Sequence, residues 1–105
     1  MATPNWLPAI IDRLRTLTVA GDVRFTQKAL RELALLELGF DETDVCEILA
    51  GLQESDFRSR VVSTITQEYL YIFALHVADI EIYLKVAVRA HCVVISFHED
   101  VKDGN

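Results

Sequence analysis

The chain has 105 residues, of which 51% are apolar and 25% are charged. This length and composition predict one small folded domain, residues 1–105, and exclude a disordered chain. Acidic side chains outnumber basic ones 16 to 10, and the resulting net charge of −6 argues against extensive non-specific binding to nucleic acid. We expect a cytoplasmic chain, because no apolar run has the length of a membrane span and no basic signal segment opens the sequence.

The two cysteines, Cys46 and Cys92, lie in apolar stretches and match no metal-site spacing. Buried free thiols are therefore expected rather than a disulfide. The sequence also contains no phosphate-binding loop, no dinucleotide fingerprint and no zinc-protease motif, so we expect neither a metal nor a cofactor.

Residues 4–51 show the period of amphipathic helices. The first helix is expected to begin between Thr3 and Asn5 and to end at Gly21. Its inward stripe is Trp6, Ile10, Leu14 and Leu17.

Two more helices follow in this half. After a connector over Asp22–Phe25, Thr26 is the predicted N-cap of a second helix that ends at Gly39. Asp41 then caps a third helix, which ends at Gly51.

From Phe57 the apolar period shortens to two residues, which is typical of strands. The predicted strands cover residues 58–63, 67–76, 80–89 and 92–98. Their short links imply antiparallel hairpins. The expected fold is therefore α+β, with three N-terminal helices packed on a C-terminal four-stranded antiparallel meander and a flexible tail over 99–105.

The third strand separates an apolar face from a polar one. Its polar face carries Tyr83, Lys85 and Arg89, while the alternate residues are aliphatic. The fourth strand divides in the same way into Val93, Ile95 and Phe97 against Cys92, Val94, Ser96 and His98. By this alternation, Ser96 and His98 can share the sheet face of Tyr83.

Several short motifs, in order along residues 10–100, resemble the MqsR family of toxins (motility and quorum-sensing regulators). They are Gly21-Asp22-Val23-Arg24 with Thr26, Ala29-Leu30 and Gly39; Gly51-Leu52-Gln53-Glu54-Ser55-Asp56-Phe57; Tyr83-Leu84-Lys85; and Val94-Ile95-Ser96-Phe97-His98-Glu99. The resemblance implies a RelE-like fold and a toxin of a type II toxin–antitoxin pair that cleaves mRNA without a metal.

It also implies partners. A cognate antitoxin, of the helix-turn-helix and in some cases zinc-binding kind, would neutralise the toxin, and operator DNA would be contacted only through that antitoxin.

The resemblance places the family's catalytic tyrosine at Tyr83. His98 stands where the family often carries lysine, and its imidazole can act as base or acid in the attack of the 2′-hydroxyl on phosphorus. Arg60 lies near a second catalytic lysine position and is the predicted phosphate clamp. The family's glutamine position falls on Leu70.

Four more residues are predicted to bind RNA. Arg58, Lys85 and Arg89 can bind phosphates, and Tyr71 can stack on a base, although its spacing equally fits a core side chain. The strand half, 57–98, carries +1 and the helices and tail carry the acidic excess, so the acidity is expected to lie away from the site.

Two alternatives stay open at this point. The replaced lysine and glutamine positions also fit a catalytically degenerate module that binds an antitoxin or regulator without cleaving RNA. A small homo-oligomer with a structural role has no direct support in the sequence.

Overall fold

The computed structural model describes residues 3–100. Three helices and five strands form a mixed α+β fold. In chain order they are α1 (Leu7–Val19), β1 (Val23–Phe25), α2 (Gln27–Leu35), α3 (Glu42–Ala50), β2 (Phe57–Val62), β3 (Tyr69–Val77), β4 (Ile80–Val88) and β5 (Cys92–Glu99), with a 3₁₀ turn at Glu54–Asp56 between α3 and β2.

The three predicted helices are present, and their caps follow the sequence signals. Thr26 accepts from Ala29 N at 3.0 Å to begin α2. At α3, Asp41 accepts from Asp44 N and Asp44 accepts from Asp41 N, a reciprocal pair that satisfies two backbone donors. Helix α2 ends at Leu35 rather than at Gly39, because Glu37 already adopts a left-handed conformation with φ 56°.

The predicted four-stranded antiparallel meander is confirmed, but a fifth strand extends it. The sheet order is β1-β5-β4-β3-β2. Strand β1 pairs parallel with the first residues of β5, through Val23↔Cys92 and Phe25↔Val94. The expectation of a plain connector over Asp22–Phe25 is therefore wrong, because this short segment fills the open edge of β5.

The helices cover one face of the sheet. Their buried side chains, such as Leu14 of α1, Leu33 of α2 and Leu49 of α3, join one cluster with Phe73 and Phe97 of the sheet. We call the opposite side the open face. It carries a small cluster of its own, formed by Leu70, Ala87 and Val93 with Ile95 packed against it.

A bulge in β5 changes which side chains reach the open face. Lys85 pairs with Ser96 and Val86 with Val94, so Ile95 has no direct partner in β4. Cys92 and Val94, which strict alternation groups with Ser96 and His98, are instead fully buried in the main cluster. The assignment of Ser96 and His98 to the face of Tyr83 is confirmed by their pairing.

The ends of the described chain bear on two smaller expectations. Strand β5 continues to Glu99, one residue beyond its predicted end, and Asp100 N donates to Glu81 O at 2.8 Å. The rest of the predicted tail, 101–105, lies outside the described residues. No helix within residues 3–100 is long and apolar enough to cross a membrane.

Candidate active site

The open face brings together two of the three residues for which the sequence predicts a role in catalysis. Tyr83 of β4 and His98 of β5 are direct cross-strand partners. Their rings are stacked, with centroids 4.8 Å apart and planes 10° from parallel. Both side chains are half-buried, so one side of each remains accessible to a ligand.

A backbone contact fixes the orientation of the imidazole. His98 Nδ1 lies 2.8 Å from Glu99 O. A carbonyl oxygen can only accept, so Nδ1 must carry the hydrogen of this bond. In the neutral ring, Nε2 then keeps its lone pair and is free to accept a proton.

The surroundings of Tyr83 keep its phenol protonated. Partial burial, together with the nearby carboxylates of Asp100 and Glu32, raises the pKa of Tyr83 above its usual value. At neutral pH the hydroxyl is therefore a hydrogen-bond donor. Tyr83 and His98 thus offer a donor and an acceptor side by side.

Helix α2 is held against the part of β5 that β1 leaves unpaired. Thr26 N donates to Val94 O at 3.1 Å, and Thr26 Oγ1 donates to Ile95 O at 3.2 Å. These bonds attach the start of α2 to the sheet edge directly beyond the end of β1. The first turns of α2 consequently lie close to Ser96 and His98.

Two charged residues of α2 reach the site in this way. Lys28 Nζ donates to Ser96 Oγ at 2.7 Å and pairs with Glu32 Oε2 at 2.8 Å. Glu32 Oε1 accepts from Phe97 N at 3.0 Å. An ammonium group has three N–H donors, so Lys28, whose side chain is 54% exposed, keeps one for a ligand.

The Glu32 carboxylate is stabilised in its charged form. Burial opposes ionisation, but the bonds from Lys28 and Phe97 N, together with the nearby His98, leave the pKa of Glu32 below its usual value. Glu32 therefore holds Lys28 in place as an anion. It also contributes negative charge beside His98.

Lys85 extends the site along β4. It lies on the open face two residues from Tyr83 and pairs with Ser96 in the neighbouring strand. Within residues 3–100 its ammonium has neither a hydrogen bond nor an ion pair. Lys85 is therefore a cation available to a phosphate.

Arg58 lies at a bulge in β2, where the register shifts between Phe57 and Ser59. It lines a small cleft with Ala74 and His76 of β3, and Ala74 is the cross-strand partner of Tyr83. Its guanidinium donates to Ser55 O and to Phe57 O, at 3.0 and 3.1 Å. Arg58 is thus the arginine of β2 on the same side of the sheet as Tyr83.

The structure does not bring Arg60 to this site. Arg60 pairs with Tyr71, which belongs to the core beneath the helices. Its guanidinium lies between the rings of Trp6 and Tyr69, at 4.0 and 3.9 Å from their centroids. Strand pairing therefore directs Arg60 to the face that the helices cover, apart from Tyr83, and this position gives no support to its predicted role as the phosphate clamp.

The predicted stacking of Tyr71 on an RNA base is also not supported by its position. Only 6% of it is exposed, and its ring packs against Trp6 with centroids 5.8 Å apart. It contributes to the core and has no free face for an RNA base. The neighbouring Tyr69 is 50% exposed, but it is engaged with Arg60 on the helical face.

Arg89 lies on the open face but is not free. Its Nε and Nη2 donate to the two carboxylate oxygens of Glu68, at 2.9 and 2.6 Å. This bidentate contact, with a further bond from Thr66, lowers the pKa of Glu68 to about 2. A phosphate would have to compete with Glu68 for Arg89.

Lys28 and Glu32 were missed by the sequence analysis. Their spacing of four residues indicates one helical face, but nothing local shows that this face meets β5. The contact between this face of α2 and β5 also changes the expected position of the acidic residues. Glu32 and Asp100 act on Tyr83, so acidic groups border the site rather than lying away from it.

The cysteines are free, as expected, with Cys92 buried and Cys46 half-buried. Burial raises the pKa of Cys92 to about 12, so its thiol stays protonated. Among residues 3–100, no three His, Cys, Asp or Glu side chains are grouped so that they could hold a metal ion.

Comparison with known proteins identifies the family of this chain. Residues 9–99 match the model of the family described as motility quorum-sensing regulator, toxin of MqsA. The mRNA interferase toxin MqsR of Escherichia coli (strain K12) is 32% identical over 93 residues, which cover 85% of this chain and 90% of that protein. The chain belongs to the MqsR toxin family.

Proposed function

We propose that this protein is the toxin of a type II toxin–antitoxin pair and cleaves mRNA by attack of a 2′-hydroxyl on the adjacent phosphorus, without a metal. The observation that carries the proposal is the Tyr83–His98 stack, in which Nε2 of His98 is free to accept a proton and the Tyr83 hydroxyl is free to donate a hydrogen bond. Family membership and the name of the Escherichia coli relative support the same activity.

In the proposed reaction, His98 Nε2 takes the proton of the 2′-hydroxyl as the 2′-oxygen bonds to phosphorus. The bond from phosphorus to the 5′-oxygen breaks, and that oxygen takes a proton from the solvent at this accessible site. The products are a 2′,3′-cyclic phosphate and a 5′-hydroxyl.

The other side chains stabilise charge in this scheme. The Tyr83 hydroxyl donates to a phosphoryl oxygen, since its raised pKa keeps the proton in place. Lys28 is bonded to Ser96 beside the stack, and Lys85 and Arg58 lie on the same side of the sheet, so these cations would offset the negative charge that develops on phosphorus. Glu32 holds Lys28 in position.

We also infer a RelE-like arrangement, since the helices cover one face of an antiparallel meander and leave the other face to the site. The proposed partners are mRNA in the cytoplasm and a cognate antitoxin of the helix-turn-helix class, with operator DNA bound only through the antitoxin.

Cleavage of a long mRNA by the purified, folded protein tests this proposal. Primer extension should show discrete cuts that persist in EDTA, and a 2′-O-methyl group at the cut nucleotide should abolish its cleavage. Intact RNA under all of these conditions would contradict the proposal.

A non-catalytic binding module is the second candidate. The carboxylates of Glu32 and Asp100 beside the stack favour it, because they repel a phosphate. Loss of RNA cleavage in His98→Ala or Tyr83→Phe, with antitoxin binding kept, would exclude this second candidate.

A further inference from the structure

The open face contains a cleft that shares only Lys85 with the proposed chemistry. Its volume is about 500 Å³, within the roughly 300–1,000 Å³ range of small-ligand sites. We call it the hairpin cleft, because the turn between β2 and β3 forms one wall and Thr26 at the start of α2 lies on the other. Its lining includes Ser63, Thr64, Ile65, Leu70, Lys85, Arg89, Val93 and Ile95.

We propose that the hairpin cleft binds the base and ribose of a single-stranded RNA nucleotide next to the cleaved bond. This inference rests on the proposed function and adds a substrate subsite to it.

The hairpin cleft adjoins the Tyr83–His98 stack, which supports an RNA nucleotide as its occupant. Lys85 lines the cleft and also stands two residues from Tyr83 on the same strand face. That spacing is about 7 Å along a strand, so an extended RNA held at Tyr83 would place its neighbouring nucleotide over Lys85 and into the cleft.

The lining also suits a nucleotide. The apolar cluster of Leu70, Val93 and Ile95 contributes to the wall against which the flat surface of a base can pack. Thr64 and Lys85 supply polar groups for the edge of the base and the phosphate. The opening includes Ile65, which is 90% exposed, and an exposed aliphatic side chain at this position can cover a bound base.

The charge of the lining favours an anion. Arg89 and Glu68 neutralise each other through their bidentate contact, so the free ammonium of Lys85 leaves the cleft with a net positive charge. An acidic peptide lacks flat bases to fill the apolar part, and a neutral apolar ligand would leave Lys85 unused.

The test compares two substitutions with the same charge change. Ile65→Asp places a carboxylate at the cleft opening, whereas Val19→Asp places one at a residue of α1 that is 83% exposed and outside the cleft. Both variants should keep the wild-type circular dichroism spectrum, since both positions are exposed. The probes are fluorescein-labelled single-stranded 2′-O-methyl RNA oligonucleotides of four sequences, which bind without being cleaved.

We expect Ile65→Asp to weaken oligonucleotide binding by about 10- to 100-fold, the range for losing the burial of one isoleucine side chain. Val19→Asp should stay within about twofold of wild type. With all-ribose RNA, Ile65→Asp should also relax the base preference at a position flanking the cut. Equal binding by folded Ile65→Asp and Val19→Asp would overturn the proposal.

Two further outcomes distinguish an RNA subsite from a protein-binding surface, and the subsite from the proposed nuclease activity. If Ile65→Asp keeps RNA affinity but loses binding of the co-expressed antitoxin, the cleft is a protein-binding surface and the RNA subsite is wrong. If wild type never cleaves RNA but Ile65→Asp still loses oligonucleotide affinity, the subsite stands and the proposed nuclease activity fails.

Discussion

Lys28 of helix α2 donates a hydrogen bond to Ser96 of β5 at 2.7 Å, across 68 residues of sequence. Ser96 is 1% exposed, so this bond supplies a partner for a buried hydroxyl as well as a place for the ammonium. The contact adds a cation from the helical half to a site otherwise built on the sheet.

Lys28→Gln should slow RNA cleavage by about 10- to 100-fold, because it removes a charge-assisted donor from the developing phosphorane. The control is Arg31→Gln on the same helix, which removes an equal charge from an exposed position. Single-turnover rates on one labelled RNA give the comparison. Equal rates for the two variants would show that Lys28 acts only on the fold.

Tyr83→Phe should reduce the cleavage rate by about 10²–10³-fold while keeping the ring stacked on His98, since only the hydroxyl donor is lost. Tyr69→Phe is the matched control, because Tyr69 is 50% exposed on the helical face. Rates at saturating RNA should separate the two. An unchanged rate in Tyr83→Phe would remove the phenol from the mechanism.

Arg60→Ala should lower stability rather than catalysis. Its guanidinium lies between Trp6 and Tyr69, and contacts of this kind are worth about 0.5–2 kcal/mol. Urea unfolding should show the loss, and Arg60→Lys should recover only part of it because an ammonium cannot stack as a plane. The cleavage rate of folded Arg60→Ala should remain within about twofold of wild type; a loss of tenfold or more would contradict its placement.

The Glu68–Arg89 pair should give stability a defined acid dependence. The pKa of Glu68 falls from 4.5 to about 2 on folding, so its contribution is fully present above pH 4.5 and is lost as the pH falls toward 2. The difference in melting temperature between wild type and Glu68→Gln should therefore be constant near neutrality and shrink between pH 4.5 and 2. A difference that grows in this window would contradict the pairing.

Much of the fold follows from local sequence signals. Thr26 and Asp41 mark the starts of α2 and α3, and the two-residue alternation of β4 places Tyr83 and Lys85 on one face. The short link predicted between the strands over 67–76 and 80–89 includes Ala78 and Asp79, and both residues adopt positive φ there. These features depend on neighbours in sequence, which is why they could be predicted.

The features that the sequence did not predict depend on contacts between distant parts of the chain, which local patterns do not specify. Strand β1 has only three residues and exists because β5 offers a free edge. The bulge at Ile95 moves Val94 into the core, which simple alternation cannot anticipate. Arg60 was assigned by motif position, whereas pairing with Tyr71 determines its face.

In the proposed mechanism, His98 accepts the proton of the attacking 2′-hydroxyl beside the Tyr83 donor. The most direct measurement is single-turnover cleavage by wild type and His98→Gln in EDTA, with the 3′ ends of the products identified by mass spectrometry. We predict 2′,3′-cyclic phosphate ends for wild type and a rate lower by about 10²–10⁴-fold for folded His98→Gln. An unchanged rate in His98→Gln, or wild-type products that end in a 3′-hydroxyl, would contradict the account.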